Sequence, residues 1–167
     1  GMESVIREET SIAYTRTNGA INLDFTIELV PLIRDLRLGG SDDEKGYGGF
    51  SARLKLPDDV IFRGKKGIVI PETTPVDAGG WIDLLASFDE QGAQSGVTLM
   101  NHPDNPPPFQ GWILRSSASM QNAAFPGRNP VTLRKEKKLT LRYRVKIHDA
   151  DWPLSDINIM YEAYSKL

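Results

Sequence analysis

Residues 21–29 read INLDFTIEL, a segment in which apolar and polar side chains alternate without a break. The apolar positions are Ile21, Leu23, Phe25, Ile27 and Leu29. Alternation with a period of two is typical of a β-strand that buries one face. Asn18-Gly19, a pair that favours a tight turn, precedes this segment and follows a candidate strand over Val5–Thr15. We therefore predict two strands, joined by a short turn, in the first 31 residues, since Pro31 ends the alternating run.

A second alternating segment, LTLRYRVKIH, occupies residues 139–148. Its apolar face holds Leu139, Leu141, Tyr143, Val145 and Ile147, and its polar face holds Thr140, Arg142, Arg144, Lys146 and His148. Two interpretations of the polar face are open. Arg142 and Arg144 pair with Asp24 and Glu28 if the two segments are neighbours, or the basic face binds an anionic or polyhydroxylated ligand.

Frequent turn residues, 15 glycines and 11 prolines, divide the rest of the chain into strand-length pieces. The further predicted strands are Phe50–Leu56, Val60–Phe62, Ile68–Ile70, Trp81–Phe88, Gly96–His102 and Trp112–Ser116. A helix is predicted only at the C-terminus, capped by Ser155, with one apolar face made of Ile157, Met160, Tyr161 and Tyr164. We predict an all-β fold, an antiparallel β-sandwich with one short C-terminal helix, in a single domain over residues 2–167. Gly1 is interpreted as the remnant of a purification tag.

Composition narrows the classes of function. The 167 residues are 40% hydrophobic and 25% charged, which is typical of one globular domain. The net charge of −2 offers no basic surface for a nucleic acid, and no apolar run is long enough to predict a membrane span. The absence of cysteine excludes disulfides, zinc thiolates, iron–sulfur clusters and thiol catalysis.

Two histidines, His102 and His148, are the candidate proton carriers. Each lies at the end of a predicted strand, where sites often form, and histidine titrates near neutral pH. A hydrogen bond between each ring and its own loop is the simpler alternative. In the catalytic interpretation Asp83 orients the histidine. We predict no metal and no cofactor, because neither an HxxxH-type spacing nor a phosphate-binding or Rossmann motif is present.

Five polar and aromatic side chains are the candidate ligand-binding groups. They are Arg53, Asn105, Trp112, Arg115 and Arg142. The arginines would supply planar donors to an anion, and Trp112 would pack against a sugar. If the strands Gly96–His102 and Trp112–Ser116 pair as a hairpin, His102 and Arg115 lie in the same sheet.

Several short motifs carry a family resemblance. They are Lys45–Phe50 with Arg53, Trp81-Ile82-Asp83, Gly96-Val97 with His102–Pro106, Trp112 with Arg115, Asn129-Pro130, and Leu139–Arg144 ending at His148-Asp149. In this order over residues 5–162 they resemble the bacterial domain family labelled methane oxygenase PmoA. The resemblance implies a galactose-mutarotase-like β-supersandwich in a polysaccharide-utilisation context, in the bacterial periplasm or cytoplasm. It does not imply methane oxidation, which needs a membrane metal site.

Members of that family are typically longer and carry an N-terminal half with its own histidine-rich segment. The resemblance therefore implies that this chain corresponds to the C-terminal half, a partial supersandwich. Such a half is expected to act with the missing N-terminal half, as a homo-oligomer, or as a non-catalytic remnant.

Three functions follow from these residues. The first is a domain that binds a carbohydrate or a sugar acid as a small molecule or glycan. The second is a mutarotase-like or other sugar-active enzyme that uses His102 or His148, and the third is a non-catalytic structural or interaction domain. Convergence of His102, Arg115, Arg142 and His148 in one pocket would favour the first two, and scattered positions would favour the third.

Overall fold

The computed structural model describes residues 3–17, 19–89, 91–117 and 120–167. The strands are β1 (Ile6–Thr17), β2 (Ala20–Pro31), β3 (Leu36–Leu38), β4 (Gly49–Arg53), β5 (Ile61–Gly64), β6 (Gly67–Ile68), β7 (Trp81–Ser87), β8 (Gln94–Asn101), β9 (Trp112–Ile113), β10 (Met120–Ala124), β11 (Val131–Leu133) and β12 (Leu139–Asp149). The helix α1 spans Leu154–Tyr164. Gly1 and Asn18 lie outside the described residues, whereas Gly19 has a φ of 71°, which suits the predicted tight turn.

Seven strands form one antiparallel sheet in the order β1-β2-β12-β8-β7-β5-β6. The two alternating segments of the sequence are neighbours in this sheet, because β12 pairs with β2 and places Tyr143 opposite Phe25. Both predicted strands are confirmed, and each extends a residue or more beyond its alternating run.

A three-stranded sheet, β4-β10-β9, covers one face of the large sheet. Leu141 and Tyr143 of β12 belong to the core between the two sheets, together with Trp112 and Ala123 from the smaller one. Phe50 of β4 stacks on Tyr143 with the ring centroids 4.7 Å apart. This shared core confirms the predicted all-β sandwich. The short pair β11-β3 forms a third sheet.

The helix α1 covers the opposite face of the large sheet. Ile157 and Tyr164 from α1 join Trp81 and Met100 from the sheet in a second buried cluster. Met160 and Tyr161 pack against the same cluster, so the predicted apolar face of the helix is confirmed. The described residues include no helix of the length and apolarity that a membrane crossing requires.

The predicted cap of α1 is wrong. The N-cap is Pro153, which makes no side-chain capping bond, and Ser155 lies inside the first turn. Pro153 has a φ of −56° and a ψ of 143°, so its own backbone is extended, and its carbonyl accepts the first helical hydrogen bond, from the Ile157 amide at 3.3 Å.

The polar face of β12 is covered rather than open to solvent over its second half. Lys146 and His148 are both buried, because the segment that enters α1 lies over them. Trp152 of that segment stacks on His148 with the ring centroids 4.5 Å apart, and the Lys146 ammonium lies 5.2 Å from the centre of the Trp152 ring.

The hairpin considered between the predicted strands Gly96–His102 and Trp112–Ser116 does not form. β8 belongs to the large sheet, while β9 pairs with β10 in the small one. The intervening chain crosses between the layers and ends at Gly111, whose φ of 103° is unfavourable for other residues. Trp112 then exchanges backbone hydrogen bonds with Val76. His102 consequently follows a strand of the large sheet, whereas Arg115 follows a strand of the small one.

Candidate functional site

A cavity of about 280 Å³ lies between the large sheet, the loop that follows β8 and the end of α1. Its lining consists of Asp24, Phe25, Thr26, His102, Arg142, Tyr143, Tyr164 and Leu167. We call it the His102–Arg142 cavity, since it contains these two candidates from the sequence. β8 and β12 are neighbours in the sheet, which explains why residues forty positions apart share it.

Asn105 connects the backbone segments that carry His102 and Arg142. The Arg142 amide donates to Asn105 Oδ1 at 2.6 Å, and Asn105 Nδ2 donates to the Arg142 carbonyl at 2.8 Å. The His102 amide donates to the same carbonyl at 3.2 Å. Asn105, predicted as a ligand-binding residue, therefore fastens the His102 loop to β12 and positions the cavity wall.

The protonation of His102 follows from its loop. Its Nδ1 accepts a hydrogen bond from the Asp104 amide at 3.1 Å, so the hydrogen of the neutral ring is on Nε2. Burial lowers the pKa of His102, and Arg142 and Arg144 lower it further, although Asp104 and the Tyr164 carbonyl oppose the shift. The Tyr164 carbonyl does not meet the geometry of a hydrogen bond with His102 Nε2. The buried Nε2 therefore has no partner among the described residues.

Arg142 differs from its neighbour Arg144 in having no ionic partner. Arg144 donates to both carboxylate oxygens of Asp24, at 2.5 and 2.8 Å, so the predicted ladder forms at this pair. Glu28 pairs instead with Lys138. Within the described part of the chain the Arg142 guanidinium makes neither an ion pair nor a side-chain hydrogen bond, and it lines the cavity beside His102.

Tyr164 is a functional candidate that the sequence interpretation treated only as part of the helix face. Its hydroxyl is buried without a hydrogen-bond partner among the described residues, and the residue lines the same cavity. Burial raises the pKa of this phenol, so it stays protonated and able to donate. The sequence could have indicated this role, because Tyr164 falls on the predicted buried face of the helix and a buried phenol usually needs a partner for its hydroxyl.

The other histidine lies in a separate, closed cluster. Asp83 accepts from His148 Nε2 at 3.0 Å and from the Thr98 hydroxyl at 2.8 Å through Oδ1, and from Arg63 Nε at 3.0 Å through Oδ2. His148 Nδ1 faces the Ala150 carbonyl at 3.2 Å, so both ring nitrogens have partners. Asp83 is therefore placed against His148 and not against His102.

Burial raises the pKa of Asp83, but hydrogen bonds from His148 and Arg63 outweigh that effect and lower it. The carboxylate is thus ionised in the interior. Gly96 makes room for this cluster, because a Cβ there would lie 2.2 Å from the His148 ring. The predicted strand Val60–Phe62 stops one residue before Arg63, which lies in β5 opposite Asp83.

The remaining sequence candidates do not line the His102–Arg142 cavity, so His102, Arg115, Arg142 and His148 do not converge in one pocket, and only His102 and Arg142 share it. Trp112 is completely buried, and its Nε1 donates to the Gly79 carbonyl at 2.8 Å. Arg115 donates to the Tyr47 hydroxyl, and Arg53 is exposed on β4. All three belong to the layer across the sheet from the cavity, because β9 and β4 are in the small sheet.

Two other depressions are less suited to binding. One, of about 280 Å³, lies beside the β5–β6 hairpin and Lys65, and the described residues lining it include no buried polar atom without a partner. The other, of about 640 Å³, carries Asp89, Asp149 and Asp151. No group of three acidic or histidine side chains placed to hold a metal occurs among the described residues.

The lowered pKa of His102 predicts a pH effect on stability. Between the model-peptide value of 6.5 and the folded-state pKa, the unfolded chain binds a proton at His102 that the folded chain does not. The free energy of unfolding should therefore fall as the pH decreases below about 6.5, and His102→Gln should have a flatter profile. Urea unfolding at several pH values from 7.5 to 5 measures both curves. Parallel curves would contradict this assignment, since His148 is present in both proteins.

Comparison with known protein families identifies a family whose function is unknown. The family model described as "Family of unknown function (DUF6807)" matches residues 1–162. No curated protein and no solved structure matches the chain.

Proposed function

Since the chain belongs to the family of unknown function DUF6807, we propose a function from the geometry of its cavity: the protein binds a small sugar acid in the His102–Arg142 cavity. One observation carries this proposal. The cavity is lined by Arg142, whose guanidinium has no ion pair, and by His102 and Tyr164, whose Nε2 and hydroxyl are buried without a partner among the described residues. A buried polar group of this kind costs free energy unless a ligand or water satisfies it.

The donors define the ligand class. A planar guanidinium forms paired hydrogen bonds with a carboxylate, which makes Arg142 the expected partner of the acid group. His102 Nε2 and the Tyr164 hydroxyl would then bond to ring or chain hydroxyls. The cavity volume of about 280 Å³ is near the lower end for small-molecule sites and fits one monosaccharide rather than a glycan chain.

The family resemblance of the sequence supports a sugar-type ligand, because it implies a mutarotase-like domain in a polysaccharide-utilisation context. We assign binding and no reaction step. Of the two histidines, His102 lines the cavity, whereas His148 is enclosed with Asp83 and has both ring nitrogens bonded. A proton transfer to the ligand would therefore involve His102.

Replacing Arg142 with Ala should weaken the binding of a uronic acid such as galacturonate by about ten- to a hundredfold. The expected loss corresponds to about 1.5–3 kcal/mol for a hydrogen bond to a charged group. Titration by ligand-observed NMR or calorimetry measures it, with galactose as the neutral analogue that lacks the carboxylate.

Arg115→Ala is the matched control, because Arg115 lies in the other layer and contacts Tyr47. It should leave uronate affinity unchanged. Equal losses in the two variants, or equal binding of galactose and galacturonate by the wild-type protein, would contradict Arg142 as the carboxylate site. Failure of wild-type protein to bind any uronate or aldonate would overturn the proposed function.

A further inference from the structure

Among the described residues, the large sheet ends in a long strand that has a partner on only one side. β1 is 12 residues long and pairs with β2, whereas β6 at the opposite edge has two residues. From Arg7 to Thr17 every residue of β1 is exposed, including Ile12 at 56% and Tyr14 at 59%. Long exposed edges with apolar side chains are templates for pairing with another strand.

Alternate residues of β1 form backbone hydrogen bonds with β2. The other residues keep their amides and carbonyls available for another strand. The Leu32 amide donates to the Val5 carbonyl at 2.9 Å, so Val5 and Leu32 form a hydrogen-bonded pair that continues the β1–β2 register. Hydrogen bonding alternates along an antiparallel pair. The odd-numbered residues of β1 therefore bond to β2, and the even-numbered ones, Ile6 to Arg16, direct their amides and carbonyls to the outer edge.

We propose that two copies of this chain associate through β1, antiparallel and with Ile12 on the twofold axis. Only a register that pairs even-numbered residues with even-numbered residues joins the outward groups of both strands. Centring on Ile12 satisfies this condition and places Glu8 opposite Arg16 of the partner subunit, twice by symmetry. Moving the centre to any neighbouring residue separates these opposite charges. The described residues give Arg16 no ion pair within its own chain, so its charge is available for this contact.

The same register also brings apolar side chains together. Ile12 is opposite Phe25 and Tyr14 is opposite Leu23 in the β1–β2 pair, so both side chains lie on the face of the sheet that carries the main core. Around the twofold axis Ile12 meets its counterpart, and the Tyr14 side chain lies opposite Thr10 of the partner subunit. Two seven-stranded sheets then form one continuous sheet, which removes the long exposed edge. This inference does not depend on the proposed ligand.

Charge-reversal variants test the proposed contact between the β1 strands of two copies. Arg16→Glu or Glu8→Arg places like charges opposite each other at two symmetric positions and should raise the dimer dissociation constant on the order of tenfold or more. The double variant Glu8→Arg/Arg16→Glu restores opposite charges and should dimerise like the wild type. Sedimentation velocity over a concentration series measures all four proteins, and circular dichroism confirms that each is folded. A monomeric wild type, or a double variant no better than the singles, would overturn the proposal.

Cysteine substitutions test the register, because the chain has no cysteine of its own. In the proposed dimer the Cα atoms of residue 12 are about 5.5 Å apart, within the range of a disulfide. Ile12→Cys should therefore cross-link on mild oxidation. Tyr14 is as exposed as Ile12. In the Tyr14→Cys variant, however, the two cysteines of the dimer are offset along the strands by four residues, roughly 13 Å, and should not cross-link. Cross-linking of Tyr14→Cys, or its absence in Ile12→Cys, would refute this register.

Discussion

Replacing Asp83 with Asn should lower the free energy of unfolding by about 3–5 kcal/mol, the cost of removing one member of a buried charged group. Asp83 is fully buried and accepts hydrogen bonds from Arg63, Thr98 and His148. The amide keeps the shape but not the charge, so the Arg63 guanidinium loses its buried counterion. Urea denaturation at neutral pH, followed by circular dichroism, measures the difference.

Asp151→Asn is the control, because Asp151 pairs with the same arginine but its side chain is 56% exposed. An exposed pair contributes at most about 1 kcal/mol, so this variant should remain close to the wild type. Equal losses in the two variants would show that burial does not decide the contribution of Asp83. Because the pKa of Asp83 is lowered from 3.8, its contribution is present at neutral pH and is lost as the pH falls below that value.

Replacing Trp112 with Ala should also cost about 3–5 kcal/mol, as expected for a large aromatic residue removed from a core. The side chain is completely buried between the sheets, contacts Phe109 edge to face at 5.6 Å, and donates to the Gly79 carbonyl. Alanine leaves a cavity and a carbonyl without its donor. Thermal and urea unfolding measure the loss, and galacturonate binding at a temperature where the variant is folded should be unchanged.

Ile70→Ala is the matched control for an apolar truncation, since Ile70 is 71% exposed and should change stability by no more than about 0.5 kcal/mol. A Trp112→Ala variant of normal stability but reduced sugar affinity would instead support the ligand-binding role predicted from the sequence.

The sequence by itself was sufficient for part of the local structure. Alternation over residues 21–29 and 139–148 predicted β2 and β12, and the spacing of Ile157 and Tyr164 predicted the buried face of α1. Both patterns arise because a side chain's direction depends on its own position along a strand or helix. Helix capping was predicted wrongly, since Pro153 and not Ser155 is the N-cap, and the short strands β3, β10 and β11 were not predicted.

Only the tertiary structure decided which of the candidate residues share a site. His102 joined Arg142, His148 joined Asp83, and Arg115 was placed in another layer. Arg142 and Arg144 are indistinguishable in the alternating pattern, yet the β2–β12 register gives Arg144 the carboxylate of Asp24 and sets Arg142 opposite Thr26. The physical reason is that strand neighbours and register depend on the packing of the whole core, which joins segments more than a hundred residues apart and leaves no trace in local spacing.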